Sequence, residues 1–277
     1  MRAHLSAAEK LAHASVTHDS LLCIGLDPDL SKLPPHVRAA SDPLVEFNRA
    51  IIAATSDLVC AYKPNLAFYE AHGLYGWQAL ERTIASIPPE IPVILDAKRG
   101  DIGNTARMYA QALYEQLGGD GVTVSPYMGR ESIQPFVDFE DKLTFVLAAT
   151  SNSGAGELQA VEDDQGEALY RKVARMGHEL NGKPGAVGLV AGATQPERLA
   201  AVRQEAPDCW LLVPGVGAQG GDLERCLAAG LDAHGRGLVI NASRSILYAS
   251  SDSDYAEAAR RAAKETRDAI NRSRALA

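Results

Sequence analysis

The sequence predicts an α/β fold, a (β/α)8 TIM barrel with an extra N-terminal helix, and three observations lead there. The chain has 277 residues, a length that fits one barrel of roughly 250 residues or two smaller domains. Eight short apolar runs recur along it. They are nearly continuous instead of alternating, as in strands buried on both faces of a parallel sheet. Between them lie stretches whose apolar residues recur at helical spacing. No linker divides the chain, so residues 1–277 read as a single domain. A doubly wound open sheet is the alternative, because pattern alone does not show closure.

Residues 5–18 form the extra helix in this reading. The strands cover residues 21–26, 58–62, 92–95, 121–124, 143–149, 186–191, 210–213 and 237–240. The clearest helix start is Asp42-Pro43, an N-cap residue followed by proline at the first helical position. Leu44, Phe47, Ile51 and Thr55 follow at helical spacing. Further helices cover 76–86, 104–117, 168–180, 196–205, 223–229 and 254–272, with a short one near 132–139. Residues 151–166 hold Glu157, Glu162, Asp163 and Asp164 with no base, and read as a solvated, mobile loop.

Composition narrows the function classes. The chain is 46% hydrophobic and 22% charged, which excludes a disordered chain. A net charge of −8 argues against a nucleic-acid partner. Any anionic ligand must then be held by local cations. No apolar run approaches the roughly 18 residues of a membrane span. The first residues lack the apolar core of a signal peptide, so the cytoplasm is the expected compartment. Cys23, Cys60, Cys209 and Cys226 form no CxxC pair and read as buried thiols. The seven histidines show no metal-binding spacing and read as surface or loop residues; Trp77 and Trp210 read as core. Neither a dinucleotide fingerprint after the first strand nor a P-loop is present.

In a barrel, chemistry gathers at the C-terminal ends of the strands. The first strand ends in Asp27, the second in Lys63, and the third in Asp96 and Lys98. Thr150-Ser151 follow the fifth strand, a glycine-rich run from Pro214 to Gly221 the seventh, and Asn241 to Arg244 the eighth. Together they describe a site for a polar, anionic molecule. Asp96 and Lys98 are two apart, so on a regular strand they share a face. Lys63, Asp96, Lys98 and Asp101 make an alternating quartet of charge; spacing alone leaves a surface salt-bridge cluster equally open. The glycine-rich loop and Arg244 sit where barrels frequently bind phosphate. Gly188 and Gly192, beside the sixth strand, are compatible with tight packing alone.

The run from Asp96 to Thr105, DAKRGDIGNT, resembles the DxKxxDIxxT signature of the orotidine 5′-phosphate decarboxylase family, and in detail its type 2 bacterial subfamily. Leu26-Asp27-Pro28-Asp29, Tyr62-Lys63-Pro64-Asn65, the run PGVGAQGG from Pro214, and Ser243-Arg244-Ser245 match in order. The sequence departs from the family pattern at Ser153, where relatives usually carry proline before the glycine.

The resemblance implies decarboxylation of orotidine 5′-monophosphate to UMP by a cofactor-free, metal-free homodimer. It makes Lys63, Asp96, Lys98 and Asp101 the charged quartet, with Lys98 the proton donor to pyrimidine C6. Asp101, Ile102 and Thr105 would reach the partner subunit's site. Asp27 would hold ribose hydroxyls, with Lys63 also near the sugar. Ser151 would meet the pyrimidine edge, and Gln219 and Arg244 the phosphate. Loss of CO2 leaves a localised carbanion, which a preorganised ammonium both stabilises and protonates. Two rivals remain: a metal-dependent sugar-phosphate barrel, disfavoured by Lys63 where those relatives carry an acid, and a non-catalytic nucleotide-binding barrel.

Overall fold

The computed structural model describes residues 5–182, 185–215 and 220–276. Its strands are β1 Leu22–Gly25, β2 Ala61–Lys63, β3 Ile94–Arg99, β4 Gly121–Val124, β5 Leu143–Ala149, β6 Ala186–Ala191, β7 Trp210–Pro214 and β8 Leu238–Ala242. The sheet order is β2-β1-β8-β7-β6-β5-β4-β3, and each paired neighbour is parallel. Parallel bridges from Tyr62 to Val93 and from Asn65 to Asp96 bring its two outer strands together. The result is the nearly closed eight-stranded barrel that the apolar runs predict.

The helices are α1 Ala7–Thr17, α2 Pro35–Arg38, α3 Pro43–Thr55, α4 Ala67–Glu70, α5 Gly73–Ile84, α6 Gly103–Gln111 and α7 Arg130–Val137. They continue with α8 Gly156–Gln159, α9 Leu169–Leu180, α10 Pro196–Glu205, α11 Gly220–Gly230, α12 Arg244–Leu247 and α13 Tyr255–Arg274. The four-residue helices α2, α4, α8 and α12 each follow a strand, so all four lie on the mouth formed by the strand ends. No described helix is long and apolar enough to cross a membrane.

The core has two compartments. The larger fills the space between strands and helices, with Phe47, Tyr69, Phe136, Leu199 and Leu227 among its members. The smaller lies inside the barrel: Cys23, Cys60, Ala61, Ile94, Leu143, Phe145, Val190, Leu212 and Val239 pack with Ala7 and Leu11 of α1. The predicted extra helix is therefore a plug. It starts at a capping box, in which Ser6 accepts from the Glu9 N–H and the Glu9 carboxylate accepts from the Ser6 N–H. The Ala7 N–H then donates to the Asp141 carbonyl, tying the plug to the rim.

Several expectations need correction. Residues 56–58 form a 3-10 turn, so β2 begins only at Ala61. At α3 the proline is at the helix start, but Asp42 makes no side-chain cap; its carboxylate accepts from the Tyr75 hydroxyl and pairs with Arg82. The helix after β3 closes with a π turn over Ala112–Gln116. Residues 151–166 carry a 3-10 turn at Ser153–Ala155, helix α8, and a bridge from Glu162 to Ala168. One of their acids is answered from α9, where Lys172 pairs with Asp163; neighbouring Glu167 pairs with Arg175. Trp77 stands on the outer side of α5 at 36% exposure, while Trp210 packs against the barrel interior as expected.

All four cysteines are buried and unpaired. Burial pushes the Cys23 and Cys209 thiols up to about 12, which leaves them inert at neutral pH. Every described histidine is exposed or half-buried.

Candidate active site

Side chains alternate across a strand, so one parity of each strand faces the barrel axis. The inward parity that begins with Ala61, Ile94 and Gly121 arrives at the mouth as Lys63, Asp96 and Thr123. These side chains meet. Lys63 Nζ lies 2.8 Å from Asp96 Oδ2, with the two side chains 5% and 9% exposed. Lys98 Nζ lies 2.6 Å from Asp96 Oδ1 but is half exposed, reaching into the open mouth.

Lys98 does not get there by simple alternation. The β3–β4 register slips between Leu95 and Arg99, and Lys98 adopts φ +46°. A left-handed backbone at a residue with a side chain costs of order 1–3 kcal/mol and gathers at functional sites. A bulge of this kind re-aims a side chain. Here it separates the two neighbours of one aspartate: Lys63 is sealed in, and Lys98 faces the cavity. Lys98 N–H donates to Thr123 Oγ1 at 2.9 Å, and Thr123 Oγ1–H donates to Asp96 Oδ1 at 2.9 Å.

Burial raises the pKa of Asp96, yet the charges of Lys63 and Lys98 outweigh it and hold the carboxyl well below the usual range. Burial likewise opposes charge on Lys63, but Asp96 and Asp27 reverse the sign and raise its pKa. The cluster is therefore an ionised carboxylate between two cations.

Two cavities open at this mouth. One of about 460 Å³ is lined by Lys63, Asp96, Lys98, Thr123, Ser151 and Gln159 among others. The second, of about 690 Å³, is lined by Asp27, Lys32, Gly215, Asn241, Arg244 and Tyr248 among others. Both fall in the range of small-molecule sites. Pro214 lines the first and Gly215 the second, so the residues leaving β7 stand between them.

Asp27 is anchored on both sides: its carboxylate accepts from the Asn65 N–H, and its carbonyl accepts from the Tyr248 hydroxyl. Tyr248 also accepts from the Asp29 N–H. Arg244 is exposed at the start of α12 and has no ion-pair partner among the described residues. Asn241 contributes a buried side-chain oxygen with no hydrogen-bond partner.

Ser151 lines the smaller cavity, where Gly192 makes room for it: a Cβ at Gly192 would stand 2.7 Å from Ser151 Cβ. Gly188 serves packing, since a Cβ there would meet the Phe145 ring at 2.6 Å.

Asp101 does not join the cluster of its own chain. Its carboxylate accepts from the Ile102 N–H, and Ile102 and Thr105 are exposed. Gln219 lies outside the described residues.

Sequence reasoning missed Thr123, Gln159 and Tyr248. Gln159 clamps the turn before Ser151: its carbonyl oxygen accepts from Thr150 N–H, and its amide donates to Thr150 Oγ1. Parity along β4 finds Thr123 once the register with β3 and β5 is known. No signal marked Gln159 or Tyr248. Among the described residues, no group of three His, Cys, Asp or Glu is placed to hold a metal ion.

Fold and site together define a parallel (β/α)8 barrel whose strand-end mouth holds a lysine–aspartate–lysine cluster beside a second cavity lined by Asp27, Asp29, Lys32 and Arg244. Residues 20–262 match the model of the orotidine 5′-phosphate decarboxylase / HUMPS family, and the chain belongs to that family. It is 53% identical to an orotidine 5′-phosphate decarboxylase of Herpetosiphon aurantiacus, over 92% of this chain and 94% of the relative. It is 51% identical to that of Thermomicrobium roseum, over 98% and 96%. Among solved structures it is similar to OMP decarboxylase of Leishmania donovani, with TM-score 0.86 and 42% identity, covering 99% of this chain and all of the other.

Proposed function

We propose that this chain decarboxylates orotidine 5′-monophosphate to UMP and CO2, the last step of de novo pyrimidine synthesis, as a single-domain cytoplasmic enzyme working without a cofactor. The observation that carries the reading is the Lys63–Asp96–Lys98 cluster, with one lysine sealed and the other presented to a cavity. The family supplies the reaction; the cluster supplies a chemistry that fits it.

The pyrimidine occupies the smaller cavity, with Ser151 at its edge. The ribose and phosphate extend into the larger one, where Asp27 takes sugar hydroxyls and Arg244 takes the phosphate; the family resemblance adds Gln219 as a second phosphate contact. Asp96 is ionised and fixed by three donors, from Lys63, Lys98 and Thr123. As the bond to CO2 breaks, electron density builds at C6 with no neighbouring sink. The Lys98 ammonium stabilises that charge without reorganising. It then delivers its proton to C6, which removes the need for a separate acid. Phosphate binding is remote from C6 and raises the rate only by orienting and closing the site.

Asp101, Ile102 and Thr105 complete the neighbouring subunit's site in a homodimer. The exposure of Ile102 and Thr105 supports this, and Asp101 makes no hydrogen bond or ion pair with Lys63, Asp96 or Lys98 of its own chain. Mixing separately inactive Asp101→Ala and Lys98→Ala subunits should restore part of the activity. No rescue after proven subunit exchange would remove the shared site.

The reaction itself is tested by following ultraviolet absorbance of orotidine 5′-monophosphate with purified protein, with and without excess chelator. Substrate loss indifferent to chelator is expected. Absence of turnover, or dependence on metal, would overturn the reading.

A further inference from the structure

We infer that Thr123 is a positioning residue for the proton-delivering lysine: its hydroxyl holds the Lys98 backbone in its left-handed bend and fixes the carboxylate that Lys98 faces. The inference rests on the decarboxylase reading above. Thr123 is 1% exposed and sits on the inward parity of β4, between the cluster and the β5 strand. A hydroxyl has one hydrogen to give and lone pairs to receive. The Lys98 N–H can only donate, and an ionised Asp96 can only accept. The two bonds of Thr123 therefore run one way, from Lys98 N–H through Oγ1 to Asp96 Oδ1, each at 2.9 Å.

The bond to the backbone stands at the register slip of β3. The Thr123 hydroxyl is thus the hydrogen-bond partner of Lys98 N–H where the strand is distorted. Lys98 and Asp19 are the two non-glycine residues with positive φ among those described, and Asp19 lies before β1, away from the mouth. Three positions are set by one hydroxyl: the bend at Lys98, the rotation of Asp96, and through Asp96 Oδ1 the place of the Lys98 ammonium 2.6 Å away. Thr123 carries no charge and takes no proton, so its contribution is geometric. Its loss should lower kcat and leave ground-state affinity for product alone.

The test compares the unsubstituted chain with Thr123→Val, which keeps the shape without the hydroxyl, and Thr123→Ser, which keeps the hydroxyl. Thr123→Ala gives a second hydroxyl-free variant if valine does not fold, with thermal unfolding as the check. Each is measured for turnover, for UMP affinity by calorimetry, and for exchange of the UMP C6 hydrogen in D2O. A hydroxyl-free variant should lose about a hundredfold in kcat, the scale of a misplacement near 1 Å. C6 exchange should fall in parallel, UMP affinity should hold, and serine should regain most of the loss. Undiminished kcat in a folded hydroxyl-free variant would overturn the inference while leaving the decarboxylase reading intact. So would a loss that tracks UMP affinity and is not regained by serine. No turnover by the unsubstituted chain would overturn both.

Discussion

At the N-terminal end of the barrel, the inward positions of the strands are Cys23, Ala61, Ile94 and Leu143, and they close on Ala7 and Leu11 of α1. Two residues further along the same parity, three of these strands reach Gly25, Lys63 and Asp96. One end is an apolar plug and the other a buried lysine–aspartate pair, and a single step of the pleat separates them. Each end also holds a lysine–aspartate pair at 2.8 Å. Lys10 and Asp120 are each 18% exposed, whereas Lys63 and Asp96 are 5% and 9% exposed. Equal distances therefore mean different things. The plug-end pair decorates a rim that apolar packing already holds. The mouth pair removes two charges from water, and that arrangement favours function over stability.

The sharpest way to break this contrast is Asp96→Asn. It leaves the sealed Lys63 charge without its counter-ion, a loss of about 3–5 kcal/mol for a buried pair. Urea denaturation at neutral pH checks it. Titration sharpens the same point. Asp96 has a lowered pKa in the fold, so its contribution is complete above the unfolded carboxylate value near 3.9 and is lost as pH falls through the lower folded value. Lys63 has a raised pKa, so its contribution is complete below about 10.4 and is lost as pH rises through the higher folded value. Denaturation across pH should show a plateau between these limits, and Asp96→Asn should flatten the acid limb.

At the plug, Leu11→Ala opens space between α1 and the barrel interior. It should lower stability by about 3 kcal/mol, within the range for buried leucines, with kcat per folded molecule unchanged. A fall in kcat without destabilisation would break the division between the two ends. The smallest effect belongs to Lys10→Met, which removes the partly exposed pair at the plug rim; a change below about 1 kcal/mol in the same denaturation assay is expected.

Much of the architecture was legible because polar residues interrupt apolar runs. Asp27, Lys63 and Arg244 announce strand ends, whereas Asp96 stands inside β3, which runs on to Arg99; the structure brings all four to one mouth around two cavities. The conformation of Lys98 was not legible. Two-residue spacing predicts a shared face on a regular strand, and Lys98 reaches Asp96 instead through a bulge and a positive φ. Thr123 was hidden for another reason: threonine is at home in any strand, so a hydroxyl between two valines carries no signal until its register is known. Gln159 lay in a window that read as a loop because it holds four acids and no base, and the basic partner of Asp163 comes only from α9. Trp77 failed as a core residue because size alone does not say which side of a helix faces in.

The most direct test of the account is Lys98→Ala, assayed for turnover of orotidine 5′-monophosphate and for UMP binding on the same preparation. The account predicts a loss of at least about a thousandfold in turnover, within the span attributed to a positioned proton donor, with UMP binding still measurable. Near-normal turnover would contradict it, because the lysine that the bent backbone presents to the cavity would then have no part in the chemistry.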